Sequence, residues 1–333
     1  MQYKKRLVRW CLAALIPALA SSCLMEYPEM TADGELGADP TAVTVEADIL
    51  IDLNLPGTEE GMLVERGNED GFRHRIIVAA YEGTNVAEKT VIYEDIPHTN
   101  RLETSVQLNL HARNYRLAVW ADYVAEEDTF YTADDFARIR KPSDRGYSGN
   151  TEYKDAFYAC QNLDLTGYRD EWNARVPLQI ELGRPVGRYE LVATDVARFL
   201  NDSEVTGTSF LATLSYDDYL PVGFDALSNV TREAYRYMSF NRTISRQNLE
   251  EAGNEYRMVF DYIFLDEDAE SVPVTLTVTD ANGKVEYSKY SFRLQCKRGE
   301  NTIVRGDFLT TDPDGGVDFD PGFDGESDVD LDS

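Results

Sequence analysis

Apolar residues hold every odd position from 43 to 55: Val43, Val45, Ala47, Ile49, Ile51, Leu53 and Leu55. Thr44, Glu46, Asp48, Asp52 and Asn54 point the other way. A period of two over that length marks a strand with one face in a core and the other in water. Shorter stretches of the same kind predict strands over 72–81, 90–93, 105–110 and 115–124. In the last, Tyr115, Leu117, Val119, Ala121 and Tyr123 share a face. Residues 125–172 are irregular and rich in Asp, Tyr, Gly and Ser, with one short helix predicted near 133–139, and a strand over 176–182 closes the first set. A second set reads as strands over 188–193, 208–216, 256–265, 273–279, 285–294 and 302–308, with a short helix over 196–200. The clearest hairpin signal is Asn282-Gly283, a pair suited to a type I′ turn with positive φ at both residues.

Short alternating strands with few helical runs predict an all-β chain of two tandem antiparallel β-sandwich domains. The pattern divides it into residues 41–183 and 184–311, with no internal repeat evident in the sequence. Residues 312–333 form an acidic tail. Its default reading is a solubilising segment, yet Val317, Phe319, Phe323, Val329 and Leu331 alternate with acids. That alternation also fits an edge strand or one lent to a partner, against which Pro321 and the glycines weigh.

The N-terminus has a different pattern. Lys4, Lys5, Arg6 and Arg9 precede an apolar run over 10–19 and the small residues Ala20, Ser21 and Ser22. This is the layout of a secretory signal, and the run is about half of the roughly 20 residues that span a bilayer. Leu19, Ala20, Ser21, Ser22 and Cys23 together resemble a bacterial lipobox. Residues 1–22 are therefore expected to be a lipoprotein signal peptide, cut between Ser22 and Cys23. The resemblance implies lipid on the Cys23 thiol and on the new amino group, and two or three acyl chains anchor durably where one does not. Residues 23–40, polar with Pro and Gly, read as a tether.

Charge and cysteine content narrow the options. The chain has 333 residues and a formal charge of −28, which falls to −32 once the four signal-peptide cations leave. Such a surface repels nucleic acid and anionic headgroups, so no nucleic-acid partner is expected and the acyl chains must do the membrane binding. Beyond Cys11 and Cys23 only Cys160 and Cys296 remain. Export permits a disulfide between them, but Cys296 continues the alternation of Tyr290, Phe292 and Leu294, which favours a buried free thiol.

Catalytic and metal patterns are absent. His74, His98 and His111 lie on separate predicted elements, without ligand spacing. His74 shares a face with Phe72, Ile76 and Val78 and reads as structural. Residues 146–149 lack the spacing of a nucleophile elbow, and no phosphate-binding glycine loop follows a strand. Asp312, Asp314 and Asp318 begin like a calcium loop but lack its fifth and twelfth ligands. With 60 acidic residues, carboxylate pairs carry no signal. No enzyme, cofactor or metal is expected.

Several segments resemble the fimbrillin-like surface lipoproteins of Bacteroides-type bacteria, a group that includes a related domain family of unknown function. They are NYRLAVWAD (114–122), GNTEYKDAF (149–157), RPVGRYELVATDVARFL (184–200), YLPVGFDAL (219–227), NTIVRGDFL (301–309) and DPGFDG (320–325). The resemblance implies transthyretin-like sandwiches, an outer-membrane location with lipid anchoring and surface exposure, and a structural or adhesive role as a fimbrial subunit or anchor. It also implies assembly with other fimbrial subunits by β-strand exchange, with Val317, Phe319 and Phe323 as the candidate donor residues. Shaft subunits of this kind lose their N-terminal segment after an arginine, and Arg66 is the nearest candidate, though a poor fit. The competing reading is a glycan-binding lipoprotein of a nutrient-uptake system, with Tyr131, Tyr147, Tyr153, Phe157, Tyr158 and Trp172 as the contact aromatics.

Overall fold

A computed structural model describes residues 29–30, 36–37, 42–57, 71–126, 129–141, 146–171, 174–266 and 270–310. The signal and lipid site at Ser22 and Cys23, most of the tether, Arg66, Trp172 and the tail with Val317, Phe319 and Phe323 lie outside those residues.

The long alternating segment becomes β1, Ala42–Asp52, and all of its odd positions from Val43 onward are buried. It is followed by β2 (Arg73–Glu82), β3 (Asn85–Glu94), β4 (Arg101–His111), β5 (Asn114–Val124), β6 (Ala156–Asp164) and β7 (Arg175–Leu182). These form a three-stranded sheet in the order β7-β1-β4 and a four-stranded sheet in the order β3-β2-β5-β6. The sheets enclose one core containing Val45, Ile49, Ile76, Leu108, Val119 and Phe157.

Only Gly183, Arg184 and Pro185 separate β7 from the second set. That set comprises β8 (Val186–Ala193), α1 (Val196–Asn201), β9 (Ser209–Tyr216), β10 (Leu220–Asp225), β11 (Val230–Tyr235) and β12 (Ser239–Ser245). It ends with α2 (Arg246–Ala252), β13 (Tyr256–Phe264), β14 (Glu270–Asp280), β15 (Glu286–Cys296) and β16 (Asn301–Gly306). Here a β13-β8-β16 sheet faces a β12-β9-β14-β15 sheet. Tyr189, Phe210, Leu214, Leu276 and Phe292 lie in the core between them.

The two sandwiches share one topology. In each, the first strand is central in the three-stranded sheet, antiparallel to the fourth sandwich strand and parallel to the last. The parallel pairs are β1 with β7, Thr44 to Arg175 through Ile51 to Leu182, and β8 with β16, Arg188 to Asn301 through Ala193 to Gly306. The chain is thus a duplicated architecture with no visible repeat in its sequence, because a core requires only apolar residues of suitable volume and parity. The β10–β11 hairpin is an insertion in the second copy. It pairs with the two-residue strand Ile139–Arg140.

The all-β expectation holds, with corrections of detail. The two parallel pairs depart from a purely antiparallel design. No helix forms at 133–139; the segment is turns leading into Ile139–Arg140. The three-residue spacing of Ala133, Phe136 and Ile139 reflects burial of all three against both sandwiches. The Asn282-Gly283 turn is not type I′. Only Gly283 takes a positive φ, 68°, and its N–H donates to Asp280 O at 2.9 Å. This is a type I turn closed by a left-handed glycine. β6 lay hidden in the irregular stretch, and β10, β11, β12 and α2 also lacked a clear period. β10 is buried on nearly every side and β11 is exposed. α2 is set by its ends instead: Ser245 Oγ accepts from Asn248 N–H, and Gly253 takes φ +81° where the helix stops.

Candidate functional site: the seam between the sandwiches

Alternation puts one face of each strand inward, yet β5 is buried from Leu117 to Val124 without a gap, β8 throughout, and β13 from Met258 to Phe264. Their second faces meet each other. Ile77, Ala79, Ala118 and Trp120 from the first sandwich pack with Phe224, Phe260, Tyr262 and Phe264 from the second, and Tyr131, Phe136 and Ile139 fill the space between. This third core makes the two sandwiches one packed body. Trp120 sits edge-on to Tyr131 at 5.5 Å, and Tyr131 contacts Phe264 at 5.4 Å.

Ion pairs ring this core. Arg75 donates to both oxygens of fully buried Asp122 and to Tyr131 O. Burial pushes the Asp122 carboxyl up and Arg75 pulls it back. Arg184, in the three-residue linker, grips Asp155 through Nε at 3.0 Å and Nη2 at 3.1 Å. It also donates to Asn54 O at 2.7 Å and Leu53 O at 3.0 Å. Arg188 bridges Glu152, Glu190 and Asn301. Asn301 in turn reaches Pro56 O through its N–H and Gly57 O through Nδ2. The end of β1 is therefore fastened to the second sandwich.

The densest group surrounds Asp261 on β13. Its Oδ2 accepts from Tyr147 at 2.5 Å and Tyr216 at 2.8 Å, and Tyr189 bonds Tyr216 at 2.6 Å. Its Oδ1 accepts from Tyr262 N–H and from Lys154 Nζ. Lys141 donates to Tyr262 O at 2.9 Å and to Tyr147 Oη at 3.4 Å. Burial, then the neighbouring Lys154 charge, holds Lys141 well below the ordinary lysine range. Burial raises Tyr147, Tyr189 and Tyr216 well above the phenol range.

Tyr131, Tyr147, Tyr153, Phe157 and Tyr158 are therefore seam and core residues, not a surface platform. Tyr131 and Phe157 are fully buried, Tyr153 is buried against Phe72, and Tyr147 and Tyr158 are half-buried. Apolar rings gain more by filling the space between sheets than by facing water. The charged seam residues escaped the sequence reading, although a signal existed. Asp122, Arg188 with Glu190, and Asp261 are isolated charges inside otherwise apolar strands, a placement that needs a buried partner.

Outside the seam, β6 is joined to the linker just after β7 by an isolated bridge between Tyr158 and Gly183. Beside that bridge lies a shallow polar cleft of about 530 Å³, lined by Arg116, Cys160, Asn162, Glu181 and Asn229 among others. Cys160 and Cys296 are both free thiols. Among the described residues no group of three or more His, Cys, Asp or Glu side chains is placed to hold a metal ion, and no helix is long and apolar enough to cross a membrane. His74 is buried against Tyr123, with ring centroids 4.3 Å apart.

A model of a family of unknown function, DUF6562, matches residues 40–332, and the chain belongs to that family. No curated protein matches it. Similar solved structures include a candidate cell adhesion protein from Bacteroides eggerthii, at 14% identity and TM-score 0.46, covering 84% of this chain and 94% of that one. The fimbrial anchor protein Mfa2 from Porphyromonas gingivalis shows 12% identity and TM-score 0.42, with 74% and 81% covered. A fimbrial assembly protein from Parabacteroides distasonis shows 12% identity and TM-score 0.40, with 79% and 91% covered.

Proposed function

Proceeding from that membership, we propose that the chain is a non-enzymatic, fimbrillin-like surface lipoprotein. In this reading it is an anchor or stand-alone adhesive subunit that keeps its first strand and is held at the outer membrane by lipid on Cys23. The observation that carries the reading is the position of β1. It lies between β7 and β4 and pairs with both along its length. Its end is gripped by Arg184 and Asn301. Loss of the chain up to Arg66 would strip β1 from both neighbours and open a slot lined by core positions. A subunit built to retain β1 instead keeps everything before it, including Cys23.

Assembly by strand exchange is part of the proposal. An extended strand from a partner gains affinity from main-chain hydrogen bonds and register from alternate side chains. The tail 312–333, with Val317, Phe319 and Phe323 alternating against acids, is the candidate donor. Other fimbrial subunits are then the partners. The glycan-binding reading is not favoured, because the described aromatics named for it lie in the seam and core.

Two measurements test this. Mass spectrometry of the mature N-terminus is expected to find acylated Cys23, and a start near residue 67 would refute retention. Deletion of 312–333 is expected to abolish oligomers or surface fibres, and unchanged assembly would remove the tail from the donor role.

A further inference from the structure

We propose that Lys154 and Asp261 condense to an amide, a covalent bond joining the segment between β5 and β6 to β13. Lys154 ends the single turn Glu152–Lys154. Its side chain is 2% exposed and that of Asp261 is fully buried. Lys154 Nζ contacts Asp261 Oδ1 directly and donates to Ser148 O at 2.7 Å. A nucleophile and an electrophile are thus held together with water excluded, which replaces a bimolecular encounter by a fixed geometry.

The surrounding groups supply the proton chemistry. Low polarity disfavours the separated charges of an ammonium and a carboxylate. Lys141 lies beside the pair, and its Nζ and that of Lys154 approach the Tyr147 ring at 5.1 and 4.4 Å. Lys141, whose pKa burial lowers, is the neighbouring amine placed to take a proton from Lys154. The freed Nζ lone pair attacks Cγ of Asp261. Negative charge then collects on Oδ2, where the Tyr147 and Tyr216 hydroxyls already point. The Nζ–Cγ bond forms as the Cγ–Oδ1 bond breaks. Oδ1 leaves as water, taking the proton lent to Lys141 and one more from the attacking nitrogen; the third proton of Lys154 stays on the amide. Atoms and charge balance with no outside reagent.

The consequence is mechanical. Lys154 stands at the entry to β6, and Asp261 is opposite Tyr189 in the second sandwich. A bond between them closes the seam against forces that pull the sandwiches apart.

The test is tryptic mapping of the purified full-length protein, which reads internal peptides and is independent of the state of the N-terminus. The expected product is one branched peptide, Gly146–Arg169 joined to Met258–Lys284, uncut at Lys154 and lighter than the two parts by one water. Lys154→Met should give no branched peptide. Lys141→Met should form the branched peptide much more slowly after refolding. Recovery of linear Gly146–Lys154 and an unbranched Met258–Lys284 from folded wild-type protein would overturn the proposal. Formation at the wild-type rate in Lys141→Met would overturn the role given to Lys141.

Discussion

Replacing Arg184 by Met is the most direct perturbation of the seam. The substitution keeps an apolar stem and deletes the guanidinium. Asp155, fully buried, then loses its counter-ion. The carbonyls of Leu53 and Asn54 lose donors at 3.0 and 2.7 Å, and the face of Phe157 loses a cation 4.6 Å from its centroid. Removing one partner of a buried ion pair costs about 3–5 kcal/mol. Each orphaned carbonyl adds roughly 1 kcal/mol if water reaches it and more if it does not. The expected loss is therefore about 5–7 kcal/mol. Urea unfolding followed by circular dichroism and by fluorescence, to which Trp120 in the third core contributes, would measure it. The double variant Arg184→Met with Asp155→Asn should recover part of the loss, because it removes the stranded charge. A loss below about 1 kcal/mol, the scale of an exposed pair, or no recovery in the double variant, would refute the view that Arg184 neutralises a buried carboxylate.

Three further outcomes are expected. Trp120→Ala empties the middle of the third core and should cost about 3–5 kcal/mol; two separated unfolding transitions would show the sandwiches uncoupled, and an unchanged midpoint would refute the seam as a core. Tyr131, Tyr147, Tyr189 and Tyr216 have folded pKa values raised by burial above an unfolded value near ~10. Their contribution is fully present below about pH 10 and is lost as pH rises toward the folded values, at about 1.4 kcal/mol per phenol per pH unit. Tyrosinate absorption from these residues should therefore appear only with unfolding, and four ordinary phenol titrations in a persisting fold would contradict this. Burial likewise pushes the Cys160 and Cys296 thiols up, so a thiol reagent should find Cys296 only after denaturation and Cys160 slowly before it; a fast native reaction at Cys296 would place it outside the core.

Where a strand with one buried face carries an unbroken alternation, the sequence alone determined it. The odd positions of β1, the Tyr115-to-Tyr123 face of β5 and the inward Cys296 all follow from a side-chain period of two. The family resemblance was also carried by contiguous segments. Tertiary structure alone decided what lies on second faces. Ala118, Trp120 and Asp122 alternate with core residues and look like solvent positions, yet another sheet covers them. The parallel closure of β1 by β7, the duplicated topology, and the meeting of Lys154 with Asp261 across 107 residues likewise leave no local mark. Periodicity records which way a side chain points relative to its own strand. Which distant surface it then meets depends on how whole sheets pack, and many sequences satisfy that packing equally well.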